Sequence, residues 1–328
     1  MIIPAYNRLH TIEASLQSLI NQKYRPLEVI VVDDGSSDGT WGLLQNLKFT
    51  DIEFKPIHQE NAGAAAARNT GINASTGELI QFLDSDDLLD PNKLSEQVAV
   101  FENQPEVDVT YGHWQMGKSE TSCQPYEAKQ HADMVAALLS KYWHPNFSYL
   151  FRRKVVFEAG LWDTSLRIND DFDFALKVAM TGAKFALVPV NTGLYIWHPG
   201  ERLSRQADSI NAEDTYQILD NAIETLEKAG SLTAARTRVL AEYYWRLAVD
   251  ARLQSKAIFQ RGLEKSLKLV PDFKPERMFA KAFVVTFGYA NAAAVMVAKK
   301  QGIKSVKQNI KSLLGERLSD HARKIKNR

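Results

Sequence analysis

The sequence predicts an open, mostly parallel α/β sheet flanked by helices, followed by a helical extension. Three observations predict it. Short apolar runs rich in β-branched residues alternate with segments of helical period through about the first hundred residues. That is the pattern of strand–helix–strand units with right-handed crossovers. Two of the runs, 27–32 and 79–83, stop abruptly at carboxylates, Asp33-Asp34 and Asp84-Ser85-Asp86-Asp87. In open parallel sheets, ligands bind outside the carboxyl ends of the strands. From about Ser209 strand signals vanish and helical patterns remain. A boundary near residues 203–210 follows, dividing the chain into a sheet domain, 1–205, and a mostly helical region, 206–328.

Each element has its own reason. Ile2-Ile3 reads as the end of a strand and Pro4-Ala5-Tyr6-Asn7 as the turn after it. The opening is short for a core strand, so either that strand is truncated or the true start lies upstream. Leu9, Ile12, Leu16, Leu19 and Ile20 recur at helical spacing. The run 27–32 is almost unbroken aliphatic, as suits a parallel strand covered on both faces. The cluster Asp33-Asp34-Gly35-Ser36-Ser37-Asp38-Gly39-Thr40 reads as a turn with helix N-caps to offer. Trp41, Leu43, Leu44 and Leu47 mark the next helix, and 52–57 is a weaker strand. Asn61-Ala62-Gly63 opens an alanine-rich helix over 64–73 that carries Arg68 and Asn69. Asp90-Pro91 reads as an N-cap followed by proline at the first helical position, which leaves Asp84, Asp86 and Asp87 without a structural job.

Farther on, 107–114 reads as a strand, 132–142 as a helix, 148–151 as a short strand and 155–159 as a helical turn closed by Gly160. Asn169-Asp170-Asp171-Phe172-Asp173 opens an apolar-periodic helix, and 185–190 and 193–197 read as closing strands. Helices are expected over 216–229 and 234–253.

Composition bounds the function. Of the 328 residues, 45% are hydrophobic and 24% charged, which is ordinary globular usage. The net charge of +1 hides an asymmetry, because residues 299–328 hold ten Lys or Arg against two acids. Such a tail is either a solvated helical extension or, with the apolar stretch 279–298, a peripheral contact with an anionic membrane surface. Lys281 and Asn291 within that stretch speak against a membrane span. Cys123 stands alone, which excludes an intrachain disulfide and a cysteine-based metal site. The opening shows neither a basic n-region nor an apolar h-region. Both features suit a cytoplasmic protein, peripheral at the inner face of the membrane if the tail binds there. No basic-aromatic groove pattern appears, so nucleic acid is not an expected partner.

The chemistry resides in acids and one arginine. Three carboxylates within four residues, at Asp84, Asp86 and Asp87, repel one another, and a divalent cation with a phosphate behind it would relieve that repulsion. Asp33 or Asp34 could accept a base N–H, with Ser36 and Gly35 amides for a ribose or phosphate. The start of the alanine-rich helix suits an anion and Arg68 a phosphate or ribose, unless the helix is simply well packed. Asp170 and Asp171 in a first helical turn either serve the helix dipole or supply a general base. His198, in a loop before Pro199-Gly200, could be a metal ligand or a phosphate donor.

In this order, Pro4-Ala5-Tyr6-Asn7, Asp33-Asp34-Gly35-Ser36, the stretch from Gly63 to Arg68-Asn69, Asp84-Ser85-Asp86-Asp87 and Asp170-Asp171 resemble the motifs of family 2 glycosyltransferases. The resemblance covers about residues 1–205. It implies the GT-A fold, a Rossmann-like sheet joined to an acceptor-binding part. It also implies inverting transfer, dependent on Mg²⁺ or Mn²⁺, from a nucleotide-diphosphate sugar, a UDP-sugar first, to a carbohydrate or lipid-linked acceptor. Surface polysaccharide or glycoconjugate synthesis is the implied setting. By the same resemblance Pro4, Tyr6, Asn7 and Asp33 or Asp34 frame the nucleotide, Arg68 helps hold it, and Asp84 and Ser85 meet the nucleotide sugar. Asp84 and Asp86 match the Asp-x-Asp motif, with Asp86 the first metal ligand, and Asp171 matches the catalytic aspartate. Asp170 stands where the family carries Glu, and His198 where many relatives carry a histidine ahead of a serine, here Ser204. Two other readings are a nucleotidylyltransferase, which needs a basic Gly-rich loop where only Arg8 is found, and a non-catalytic nucleotide-sugar-binding protein.

Overall fold

The computed structural model describes residues 1–197, 208–251 and 255–275. Strands and helices alternate from the start: β1 (Ile2–Ala5), α1 (Ile12–Ile20), β2 (Glu28–Asp34), α2 (Thr40–Asn46), β3 (Glu53–Gln59), α3 (Ala64–Ala74), β4 (Leu79–Ile80), β5 (Leu88–Leu89) and α4 (Lys93–Asn103). There follow β6 (Val109–Ser119), β7 (Ser122–Tyr126), α5 (Met134–Leu139), β8 (Leu150–Arg152), α6 (Arg153–Glu158), α7 (Asp170–Met180) and β9 (Phe185–Ile196). The remaining helices are α8 (Asp208–Lys228), α9 (Ala234–Ala251) and α10 (Lys256–Leu269).

β1, β2 and β3 form a parallel sheet with β2 in the middle. On its free edge β1 takes the segment after β4: Ile2 N donates to Gln81 O at 2.8 Å, and Leu83 N to Ile2 O at 3.1 Å. Through β4 this sheet meets a second one in the order β4-β8-β6-β9-β5, where β6 and β9 run parallel and β7 closes a hairpin on β6. The acids after Leu83 therefore leave the sheet beside the carboxyl ends of β1 and β2.

The aliphatic run of β2 is explained by burial on both faces. Val29 and Val31 join a core with Ile3, Leu16, Leu83 and Phe101, while Ile30 and Val32 pack with Ala67 of α3. Alanine and glycine in α3 serve approach as much as propensity. A Cβ on Gly71 would collide with Ile2 Cγ2, so only glycine lets the helix lie this close to β1.

The structure shifts several expectations. Pro4 belongs to β1, opposite Val32, rather than to a turn. It has no N–H to offer, and the ladder with 81–83 has ended there. Asp33 and Asp34 complete β2 instead of starting a turn. Asp90 does not cap α4. Its Oδ1 accepts from Asn92 N at 2.9 Å in a turn ahead of the helix, and Asn92 takes the cap position. β9 is one strand where two were expected, its register slipping between Gly112 and His113 of β6. The hairpin strand β7 was not expected, because its residues are mostly exposed and carry no apolar alternation.

Under the acidic strand end lies a buried amine. Lys93 is fully buried, and its Nζ donates to Gln81 Oε1, Gln97 Oε1 and the Tyr149 carbonyl. Burial pushes this amine well below its ordinary value. Gln81 and Gln97 in turn donate to the Phe147 and Ser148 carbonyls, tying the 79–83 segment to 147–149. Lys93→Met should leave three buried oxygens short of a donor and lower stability by about 2 kcal/mol or more. Denaturant unfolding measures this, and an unchanged midpoint would show that the cluster contributes nothing.

By internal contacts the chain divides into two units, Met1–Gln206 with Gln217–Ser231, and Ala207–Tyr216 with Leu232–Arg328. In the second, Trp245, Ala241, Val249 and Phe273 form a small core, and Tyr216 donates to the Ile258 carbonyl at 2.8 Å. The stretches 279–298 and 299–328 lie outside the described residues.

Candidate active site

The loops after β1 and β2 hold each other. Asn7, at φ +53°, donates its N–H to Ser36 Oγ at 2.9 Å and accepts from Ser37 N through Oδ1 at 2.9 Å. Tyr6 beside it is exposed. Asp33 is fully buried; its Oδ2 accepts from His58 Nδ1 at 2.7 Å and from Ser36 N at 3.2 Å, while Oδ1 has no hydrogen-bond partner among the described residues. Asp34 takes Gln59 Nε2 at 2.7 Å, Ala62 N at 2.9 Å and Gly63 N at 2.8 Å. Asp34 thus holds the two N–H groups just ahead of α3 and fixes the entry to the helix whose start is expected to meet a substrate anion.

Arg68 is the junction of the site. It is 5% exposed, and its guanidinium lies 4.3 Å over the Trp162 ring. One nitrogen donates to Asp84 Oδ1 and another to Asp170 Oδ2, each at 2.7 Å. Burial works against the charge, but Asp84 and then Asp170 outweigh it and hold the guanidinium protonated. Two acids far apart in the chain are thereby drawn to one side chain. Arg68 is expected from sequence to hold nucleotide; in the structure its two forks are occupied by protein carboxylates.

The other acids of the cluster differ in use. Asp87 is buried and its Oδ1 accepts from Ile196 N at 2.9 Å, fastening the end of β9. Ser85 is also buried. Asp86 keeps part of its side chain exposed, 3.8 Å from Arg8 Nε.

Asp171 is the second residue of α7, two places after the cap residue Asn169, which takes φ +62°. Its Oδ2 accepts from Trp143 Nε1 at 2.9 Å and its Oδ1 from Phe172 N at 2.7 Å. Burial first, and then the neighbouring Asp170 carboxylate, push the Asp171 carboxyl above its ordinary range. A base poised nearer neutrality moves protons more effectively than an ordinary aspartate. Trp143, Trp162 and His58 are the partners that sequence reasoning missed. Trp143 and Trp162 lie in segments without periodicity, and all three contacts are long-range.

Among the described residues no group of three or more His, Cys, Asp or Glu is arranged to hold a metal. His198, expected as a ligand, lies outside the described residues. The donors that are present fit a different kind of site. Asp84 and Asp86 are hard oxygen donors, partly exposed, at the end of a strand. Mg²⁺ is commonly held by one or two carboxylates together with substrate phosphates rather than by a protein cage.

Residues 1–159 match the family model described as Glycosyl transferase family 2. This part of the chain belongs to that family. Over 117 residues the chain is 40% identical to the UDP-Glc:alpha-D-GlcNAc-diphosphoundecaprenol beta-1,3-glucosyltransferase WfgD of Escherichia coli, covering 35% of this chain and 45% of that protein. An uncharacterized glycosyltransferase of Haemophilus influenzae is 28% identical over 74% of this chain and 82% of its own length. The chain spans less than half the length of the curated relatives it matches at 40% identity or above. Among solved structures, Staphylococcus aureus TarS 1-349 in complex with UDP-GlcNAc superposes with a TM-score of 0.66 at 19% identity, over 92% of this chain and 91% of that one. The mannosyltransferase PcManGT of Pyrobaculum calidifontis, in complex with GDP-Man and Mn²⁺, does so with a TM-score of 0.51 at 23% identity, over 90% of this chain and 85% of that one. These likenesses show the fold, which is GT-A.

Proposed function

We propose that the chain transfers a sugar from a nucleotide-diphosphate sugar, a UDP-sugar first, to an acceptor hydroxyl with inversion at the anomeric carbon. The observation that carries this reading is the double ion pair of Arg68, which brings the acidic strand end at Asp84 beside the acid pair of α7. Leaving-group chemistry and proton chemistry need to sit that close. The nucleotide lies over the loops after β1 and β2, near Pro4, Tyr6, Asn7, Asp33, Asp34 and Ser85. The acceptor hydroxyl gives its proton to Asp171 as its oxygen bonds to the anomeric carbon. The bond from that carbon to the diphosphate breaks in the same displacement, and a nucleoside diphosphate leaves. Asp170 faces Arg68 and takes no proton from the acceptor. Asp86 and Asp84 hold Mg²⁺ or Mn²⁺, which when bound neutralises charge on the departing diphosphate.

Residues 1–205 are the catalytic domain in this reading and 206–328 a helical region. The proposed acceptor is a carbohydrate or a lipid-linked sugar. The printed name of the Escherichia coli relative, which includes a diphosphoundecaprenol, supports the lipid-linked form. The ten basic residues of 299–328 support contact with an anionic inner membrane face. The decisive test is a panel of nucleotide sugars, scored by thermal shift and by slow hydrolysis with and without metal. At least one UDP-sugar should bind and be hydrolysed, EDTA should stop hydrolysis and Mn²⁺ restore it. If no nucleotide sugar binds or is hydrolysed, the reading fails.

A further inference from the structure

Trp143, which meets Asp171, is 39% exposed, and Tyr126, joined to it through Trp114, is 42% exposed. They belong to one wall. Tyr126, at the end of β7, stacks on Trp114 of β6 with centroids 4.3 Å apart and planes 6° apart. Trp114 meets Trp143 edge-on at 5.3 Å, and Trp143 meets Tyr195 of β9 edge-on at 5.7 Å. Trp114 itself is buried, so the wall has a packed back and an exposed front. Trp143 also donates its Nε1–H to Asp171 Oδ2. One end of the wall is therefore fixed to the carboxylate proposed as the base.

Contiguous exposed apolar surface is a feature of ligand-binding grooves. A pyranose ring matches it in shape and chemistry. One face presents C–H groups that lie against an aromatic ring, and the rim presents hydroxyls that hydrogen-bond to a carboxylate. We infer that Tyr126 and Trp143 form the acceptor subsite, a platform for the pyranose ring that receives the sugar. Trp143 acts besides as a positioning residue that aims Asp171 at the acceptor hydroxyl. This inference rests on the proposed transfer reaction, but the platform can be measured without any donor.

The experiment uses the full chain and methyl glycosides of glucose, N-acetylglucosamine, galactose and mannose as probes, read by saturation-transfer NMR. At least one should receive saturation at its ring protons. Tyr126→Ala should weaken it about tenfold, while Tyr126→Phe, which keeps the stacking face, should bind like the parent. With the glycoside as acceptor, Trp143→Phe should leave KM little changed and lower kcat about tenfold, because the N–H to Asp171 is gone while an aromatic face remains. No saturation transfer from any glycoside, full binding by Tyr126→Ala, or a Trp143→Phe effect confined to KM would each overturn the inference. Glycoside binding without any donor binding would sink the transfer reading and keep the platform. Donor hydrolysis without glycoside binding would do the reverse.

Discussion

Asp171→Asn should lower acceptor-dependent turnover by about 10²–10⁴-fold, the usual contribution of a general base, and leave donor affinity unchanged. Asparagine preserves the shape but has one acceptor oxygen, so it keeps one of the two N–H contacts, from Trp143 or from Phe172, and sets its own NH2 against the other. What it cannot do is take the acceptor proton. Its effect on stability runs the other way. The Asp171 carboxyl is raised above its ordinary value of 3.8, chiefly by burial and then by Asp170. A raised carboxyl favours folding below its unfolded value and loses that contribution as pH rises through its folded value. At neutral pH the folded chain therefore carries an unfavourable carboxylate, which asparagine removes. Relative to the parent, the melting temperature of Asp171→Asn should therefore rise from pH 4 to pH 7, while the lost hydrogen bond lowers it by a similar amount across that range. Calorimetry across that range, set beside initial rates, checks both halves. Unchanged turnover would remove Asp171 from the mechanism, and a melting difference that does not change with pH would show that folding does not raise this carboxyl.

The parts legible in the sequence were those where one local rule held without interference. β2 reads as a covered strand because both of its faces are buried, and α1 reads as a helix because Ile12, Leu16 and Leu19 fall on one buried side. The readings that slipped are places where a distant contact outweighs local preference. Asp33 and Asp34 look like turn residues, since carboxylates seldom lie buried in strands. They stay in β2 because His58 and Gln59 of the neighbouring strand, and Ala62 and Gly63 just ahead of α3, supply hydrogen-bond donors. Asp90 before proline looks like a cap, yet Asn191 donates to its Oδ2 and the helix starts later. For the site, sequence could place acids at strand and helix ends but could not say which of them meet. That depends on Arg68, whose two partners lie 16 and 102 positions away. Nor could it find Trp143 or Trp162, because a ring held in a loop leaves no period to read.

Arg68→Leu should remove both the stability and the activity of the site. The substitution leaves Asp84 and Asp170 facing each other without the cation between them. Breaking a buried charge pair by deleting one partner costs about 3–5 kcal/mol. Both carboxylates keep some solvent contact, at 32% and 24% of their side chains, so the cost belongs at the lower end, about 3 kcal/mol. Loss of fold alone could then mimic loss of function, and Arg68→Lys separates the two. An ammonium stacks on Trp162 less well than a guanidinium and lacks its rigid, spaced pair of donors, so it holds two carboxylates in a looser geometry. Lysine should therefore recover most of the denaturation midpoint while turnover stays low. If turnover depends on Arg68 holding the two acids together, Arg68→Lys and Asp170→Asn will not add. Once either is present, the other has little left to break, and the double variant should resemble the worse single one. Additive losses would mean that Arg68 acts on the nucleotide and not through Asp170. An Arg68→Leu chain as stable and active as the parent would show that the ion pairs merely decorate the site.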